Sequence, residues 1–383
     1  MDTPVPRRIL PVIVLSQFAG TSLWFAVNAV MPDLQRDWGL PAAALGTLTS
    51  AVQLGFVAGT LVFALLMLSD RFPPPRVFLA CSLLADGNLA LLVALRFAVG
   101  FLLAGIYPVG MKISAAWFRR RLGAVLGVLV GALVLGTALP HGLRALASLG
   151  GEGQVPWQSV VLAVSALAAA GGIATAWLVP DRPLAPGTRI TPRALGAIWS
   201  DRRLRASVFG YFGHMWELYA MIVLVPAIVA TRFAGTGAVS ALSFCAIGAG
   251  FVGCVAGGMA VRRFGSAWVA QSQLATSALC CLLAPAMLVA PLPLFVGWLL
   301  LWGATVSGDS PQFSALTGQN APPAVVGSVL TFTNCIGFAI SVLSIELFVA
   351  ASHAWPLGRV LPWMALGPVA GLWMMRPLLR RAA

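Results

Sequence analysis

Long apolar blocks alternate with short polar connections along the whole chain. The blocks run over 9–31, 43–68, 76–94, 96–118, 122–141, 157–179, 206–230, 239–261, 267–290, 295–317, 326–350 and 360–376. They are roughly 17–25 residues long, the length a helix needs to cross about 30 Å of hydrocarbon. Hydrocarbon leaves unpaired backbone groups unsatisfied, and blocks of this length exceed barrel strands. The pattern therefore predicts an all-α membrane protein with twelve transmembrane helices. The third and fourth blocks are separated only at residue 95. The first block is too long for the apolar region of a signal peptide, and no small-residue cleavage site ends it.

Composition agrees with that class. The chain is 59% hydrophobic and 9% charged, with a mean hydropathy of +0.91, whereas a soluble domain carries about 25% charged residues. A net charge of +13 would ordinarily raise nucleic acid as a partner. The arginines instead sit between the apolar blocks, and 18 of the 23 lie in the tails and in alternate connections. Basic residues gather on the cytoplasmic side of a membrane protein. The expectation is thus a multi-pass protein of the cell inner (plasma) membrane, with both termini cytoplasmic and the lipid bilayer, not nucleic acid, as its surroundings.

The longest and most charged connection spans 180–205 and divides the chain into 1–179 and 206–383, six predicted helices each. A faint repeat links the halves. Gly100-Phe-Leu-Leu-Ala-Gly-Ile-Tyr-Pro-Val-Gly110 aligns without gaps on Gly297-Trp-Leu-Leu-Leu-Trp-Gly-Ala-Thr-Val-Ser307, and the same offset of 197 carries Lys112 onto Asp309.

With this plan, the chain resembles the major facilitator superfamily over its whole length. After the second helix that family has Gly-x-x-x-Asp-Arg-x-Gly-Arg-Arg; here stands Leu66-Met-Leu-Ser-Asp70-Arg71-Phe-Pro-Pro-Pro-Arg76. The Asp-Arg pair is kept, while prolines replace the Gly-Arg-Arg end. After the eighth helix, Gly258-Met-Ala-Val-Arg262-Arg263-Phe-Gly265 keeps the glycines but has arginine in place of aspartate. Arg96-Phe-Ala-Val-Gly100 is similar to the family's Arg-x-x-x-Gly pattern in the fourth helix. The resemblance implies two six-helix bundles that rock about a midplane site, with the first, fourth, seventh and tenth helices lining it. It also implies a monomer driven by an ion gradient, most often of protons, and gating by Asp70, Arg71 and Arg76. No Walker loop is present, so ATP hydrolysis is not the expected energy source.

Ionisable groups inside the membrane cost roughly 2.5–3.5 kcal/mol at the bilayer centre, so each calls for a reason. Position near an interface accounts for Asp86 and Glu346. Arg96 reads equally as an interface residue at a helix start or as cavity charge. Lys112 is the only lysine in the chain. It could extend its ammonium to the interface, but a chain that uses arginine everywhere else has no need of lysine for that. A compact ammonium that pairs with an anion or a carboxylate is the favoured reading. Lys112 is therefore placed both in substrate binding, with Tyr107 and Arg96, and in a gate with Asp309. His214 and Glu217 lie three apart on one helical face. The alternatives are a hydrogen-bonded structural pair or, preferred here, a proton-carrying one, since loss of water penalises a charged carboxylate. Gln17, Thr21, Trp24 and Asn28 form one stripe of the first helix, either bonding to a neighbouring helix or lining the cavity. Gln17, Trp24 and Asn28 are taken as substrate contacts. Trp302, Thr305, Asp309 and Gln312 form a similar stripe. Gly123, Gly127 and Gly131 read as close helix packing.

All six cysteines fall inside predicted spans without metal-ligand spacing and read as small apolar residues. No metal and no cofactor is expected. The triad and nucleophile-elbow patterns of soluble hydrolases are absent, so the chain does not read as an enzyme. The leading reading is a secondary active transporter, a proton symporter of a small anionic solute. The alternative is a multidrug or metabolite exporter of the same fold, although the helix-five Gly-Pro-x-x-Gly-Gly ending of drug exporters is replaced by Gly136-Thr-Ala-Leu-Pro140-His-Gly142. A membrane receptor or scaffold is a third class, one that has no use for ionisable groups at the midplane.

Overall fold

A computed structural model describes residues 6, 8–66, 89–118, 122–149, 156–180 and 193–379. Most of the predicted third helix, together with Asp70, Arg71, Arg76 and Asp86, lies outside the described residues. Within them the chain is helical throughout. The first membrane segment is α1 (Ile9–Thr21) and α2 (Ala26–Trp38), followed by α3 (Ala44–Leu65). Next come α4 (Leu89–Leu103), α5 (Tyr107–Trp117), α6 (Leu122–Ser148) and α7 (Trp157–Leu178). A short α8 (Arg193–Ser200) leads into α9 (Arg202–Ala230), α10 (Thr236–Phe264) and α11 (Ser266–Met287). The remainder is α12 (Leu292–Gly308), α13 (Ser310–Asn320), α14 (Val326–Ala354), α15 (Leu357–Val360), a 3-10 turn (Leu361–Ala365) and α16 (Leu366–Leu379). Among the described residues, nine helical segments are long and apolar enough to cross a membrane, counting α1–α2 and α12–α13 each as one.

The helices overrun the apolar blocks by one or two turns, because backbone hydrogen bonding continues where the side chains turn polar. Asp201 starts α9 as its N-cap, accepting from the Leu204 amide at 2.7 Å. Gly39 ends α2 at a φ of 64°, the left-handed conformation that glycine adopts without strain. One predicted boundary is not found. Residue 95 lies inside α4, which runs unbroken through Arg96; Ala94 and Leu95 favour helix, and the fold buries the charge that suggested an end.

Among the described residues, three membrane segments are interrupted between helices, each for a local reason. Between α1 and α2, the Ser22 hydroxyl donates to the Ala19 carbonyl at 2.6 Å. The amides of Leu23 and Trp24 reach back only three residues, to Gly20 and Thr21, the tighter 3-10 pattern. Between α4 and α5, Gly105 and Ile106 do the same to Leu102 and Leu103, and Pro108 follows without a donor to offer. Between α12 and α13 the joint is Asp309, with Pro311 in the next turn.

Glycines set the crossings. A Cβ on Gly55 or Gly100 would run into backbone of α4 or α3, and one on Gly253 or Gly303 into backbone of α12 or α10. Gly297, the partner of Gly100 under the offset of 197, has open space around it. The glycine at the second crossing is Gly303, six residues further on. Across the halves, α6 lies along α10 and α3 along α14. Gly127 and Gly131 face Cys254 and Phe251 of α10, as close packing by small residues requires.

Candidate functional site

In the first half, most polar side chains are engaged with their neighbours. The Thr21 hydroxyl donates to carbonyls of Gln17 at 2.8 Å and Leu133 at 3.2 Å. Trp24 donates its indole N–H to Gln53 Oε1 at 3.1 Å, and Asn28 donates to Thr49 Oγ1 at 2.7 Å. Three members of the helix-one stripe thus bond to α6 or α3, and of these the Trp24 ring also reaches the centre of the molecule. The amide of the fourth member, Gln17, is buried beside Gly110 and has no partner among the described residues.

Arg96 is buried in the middle of α4, not at a helix start. Its guanidinium donates to the carbonyls of Leu23, at 2.9 Å, and Trp24, at the interruption between α1 and α2. Those carbonyls lose helical partners at the break, and a buried cation satisfies them. Near the other end of α2, Arg144 Nη2 stands 2.7 Å from Asp33 Oδ2, and Arg36 stands 3.1 Å from Asp33 Oδ1. The sequence pattern did not mark this network, because Arg144 falls beyond the apolar block that α6 extends.

The second half is different. His214 on α9 lies 2.9 Å from Asp309 Oδ1, at the joint of α12 and α13, and both side chains are almost wholly buried. Glu217, one turn along from His214, has Oε1 held by three donors. The Ser277 hydroxyl and the Trp302 indole N–H approach at 2.5 Å, and the Cys281 thiol at 3.1 Å. Among the described residues, Glu217 Oε2 has no partner. The structure therefore brings His214 to Asp309 and turns Glu217 toward α11 and α12. Cysteine in an apolar helix carries no signal of such a role, so Cys281 and Ser277 were not legible as partners. Trp302 was legible only as part of a stripe.

Between the halves lies a narrow cavity of about 30 Å³, space on the order of one or two waters. It is lined by Tyr107 of α5; Val130, Leu133 and Val134 of α6; Tyr211, Met215, Leu218 and Tyr219 of α9; Ser307, Ser310 and Ser314 around the α12–α13 joint; and Phe338 of α14. At its side, rings from the two halves stack. Trp24 is 6.0 Å from Tyr219 and 5.7 Å from Phe338, with interplanar angles of 19° and 20°. Phe56 is 4.5 Å from Phe338. Lys112 lies on α5, which packs against α6 and α1; its side chain is outside the described ones. Glu346, exposed near the end of α14, abuts Gly46 at the start of α3.

Helices that enclose a small central cavity between two halves, with interrupted segments beside buried ionisable groups, define a membrane transporter. A family model described as Major Facilitator Superfamily matches residues 13–345, and the chain belongs to that superfamily. It spans 60% of the length of two Escherichia coli transporters that it matches. The probable transporter SCO4007 of Streptomyces coelicolor is 28% identical, over 96% of this chain and 86% of its own. Two partial matches are the 4-hydroxybenzoate transporter PcaK of Pseudomonas aeruginosa, 28% identical over 39% of this chain and 37% of its own, and the probable galactarate/D-glucarate transporter GudP of Pseudomonas putida, 29% identical over 32% and 30%. The solved structure of the proton:xylose symporter XylE superposes with a TM-score of 0.73 at 13% identity, covering 97% of this chain and 95% of that one. The fold is that of two six-helix bundles, and the protein is a member of a transporter superfamily rather than an enzyme.

Proposed function

We propose that the protein is a proton-coupled carrier of small organic anions across the inner membrane. It alternates access between the bundles 1–179 and 206–383, which the 180–205 linker joins on the cytoplasmic side. The observation that carries this reading is the buried group on α9 and α12–α13. Two carboxylates, Glu217 and Asp309, share the interior of the second half with one histidine and no arginine or lysine within ion-pair reach among the described residues. A histidine beside a carboxylate is suited to taking up and releasing a proton, and the open Oε2 of Glu217 is a second place to hold one. A fixed cation would hold these carboxylates permanently charged; with none beside them among the described residues, a proton suits the site as the neutralising ion. XylE, which shares the fold, is a proton:xylose symporter.

Lys112 supplies the charge that an anion needs, and PcaK and GudP are named for acids. Asp309 exchanges partners on this reading, with His214 in the state described and Lys112 in the opposite one, while Asp70, Arg71 and Arg76 gate the cytoplasmic end. In proteoliposomes with an imposed pH gradient, Glu217→Gln is expected to abolish accumulation of carboxylate solutes while leaving counterflow exchange largely intact. Lys112→Ala is expected to raise KM or stop uptake. Accumulation that survives Glu217→Gln would remove the carboxylate from coupling.

A further inference from the structure

The chain has three tyrosines among 383 residues, and Tyr107, Tyr211 and Tyr219 all line the central cavity. In membrane proteins tyrosine usually shares with tryptophan the boundary between water and lipid. Here exposed positions go to tryptophan, as at Trp177, Trp268, Trp355 and Trp373. Every tyrosine is more than nine-tenths buried, at 8%, 5% and 5% exposure. Phenylalanine, used 20 times, would pack as well. What tyrosine adds is a phenolic hydroxyl, and all three phenols of the chain lie around this cavity.

The other polar lining is also hydroxylic: Ser307, Ser310 and Ser314. No charged side chain is among the described lining residues. Tyr211 donates to Asn334 Oδ1 at 3.0 Å. Among the described residues, Tyr107 and Tyr219 make no side-chain hydrogen bond. Next to them stand near-parallel rings that come from opposite halves, Trp24 from the first and Tyr219 and Phe338 from the second. The Trp24 ring is fixed in place by its bond to Gln53. Rings held this way by two bodies that move apart can accept a third ring in offset-stacked geometry. An open-chain polyhydroxy acid has no face to stack, and the valine, leucine and methionine lining would strand most of its hydroxyl groups without partners.

We infer that the substrate carries a flat ring bearing a hydroxyl group, stacked against Trp24, Tyr219 and Phe338, with its hydroxyl bonded to those of Tyr107 and Tyr219. The inference rests on the reading of the protein as a carrier of organic anions and selects, within them, hydroxylated aromatic acids.

The test is calorimetric titration of the purified full chain with five probes: 4-hydroxybenzoate, benzoate, cyclohexanecarboxylate, galactarate and uncharged 4-hydroxybenzyl alcohol. 4-Hydroxybenzoate should bind most tightly, with benzoate weaker by roughly three- to tenfold, the worth of a hydrogen bond, and cyclohexanecarboxylate weaker again. Tyr219→Phe keeps the ring and the volume. It should narrow the gap between 4-hydroxybenzoate and benzoate and leave benzoate unchanged, and Tyr107→Phe combined with Tyr219→Phe should close that gap. Galactarate binding as tightly as 4-hydroxybenzoate would overturn the inference, as would an unchanged ratio of the two benzoates in both Tyr219→Phe and Tyr107→Phe. Binding of the alcohol without any of the acids would uphold the ring and overturn the anion reading. Acids binding with no preference for a ring would do the reverse, and silence from all five would overturn both.

Discussion

The two halves share a fold but use their buried polar groups in different ways. In the first half the buried cations are tied down: Arg96 to backbone carbonyls at the break in the first membrane segment, Arg144 to Asp33. Apart from the exposed Arg36, side chains elsewhere in that half bond through neutral groups, as between Trp24 and Gln53 or Asn28 and Thr49. In the second half the buried ionisable groups are carboxylates, whose partners are a histidine, a hydroxyl, a thiol and an indole. None of those partners is a fixed charge. One half thus holds a scaffold and presents aromatic surface, while the other holds groups whose charge a proton can change. Pseudo-symmetry of the backbone does not carry over to the chemistry.

This contrast can be broken by substitution. The largest effect is expected at the ion pair of the first half. Arg144→Ala leaves Asp33 with only the exposed Arg36 as a charged partner and should lower stability by about 3 kcal/mol, the lower end for breaking a buried pair. Thermal unfolding in detergent would register this, and Asp33→Asn combined with Arg144→Ala should recover part of the loss. A melting temperature that Arg144→Ala does not move would mean the pair is not structural. Next comes the indole on Glu217. Trp302→Phe keeps the ring but removes a donor to a carboxylate, a loss of about 1.5–3 kcal/mol when that group is charged. Its signature is a destabilisation that shrinks in the Glu217→Gln background, where the indole meets a neutral acceptor, because the two effects are coupled. If the losses simply add, Trp302 does not act through Glu217. The smallest effect is expected for a neutral bond of the first half. Asn28→Ala should cost about 0.5–1.5 kcal/mol and leave proton-driven accumulation, measured in proteoliposomes, unaltered. A change in coupling from Asn28→Ala would erase the distinction between the halves.

Much of the architecture was legible because the bilayer imposes it locally. A helix must hide its own backbone over a fixed thickness of hydrocarbon, so apolar blocks announced the helices, and arginine-bearing loops punctuated them. The boundary at residue 95 was misread for the same reason: charge marks the edge of hydrocarbon, and Arg96 is a charge that the interior accepts in exchange for two orphaned carbonyls. Spacing along one helix also put His214 and Glu217 on a common face. It could not say that one would turn to α12–α13 and the other to α11, because that depends on which helices pack beside α9.

The residues of the chain by themselves determined the membrane class, the 6+6 plan, the rarity of lysine and tyrosine, and the list of ionisable groups that need a reason to be buried. Only the tertiary structure decided which of them meet. Helical periodicity sorts residues onto faces, but a face acquires chemistry from the neighbour it is packed against. Those neighbours come from sequence positions some 60 to 100 residues away, as Ser277 does for Glu217 (|i−j| of 60) and Trp302 (|i−j| of 85). Crossing glycines such as Gly100 and Gly303 set how closely the helices approach. That approach, absent from any local pattern, gathered three scattered tyrosines around one cavity.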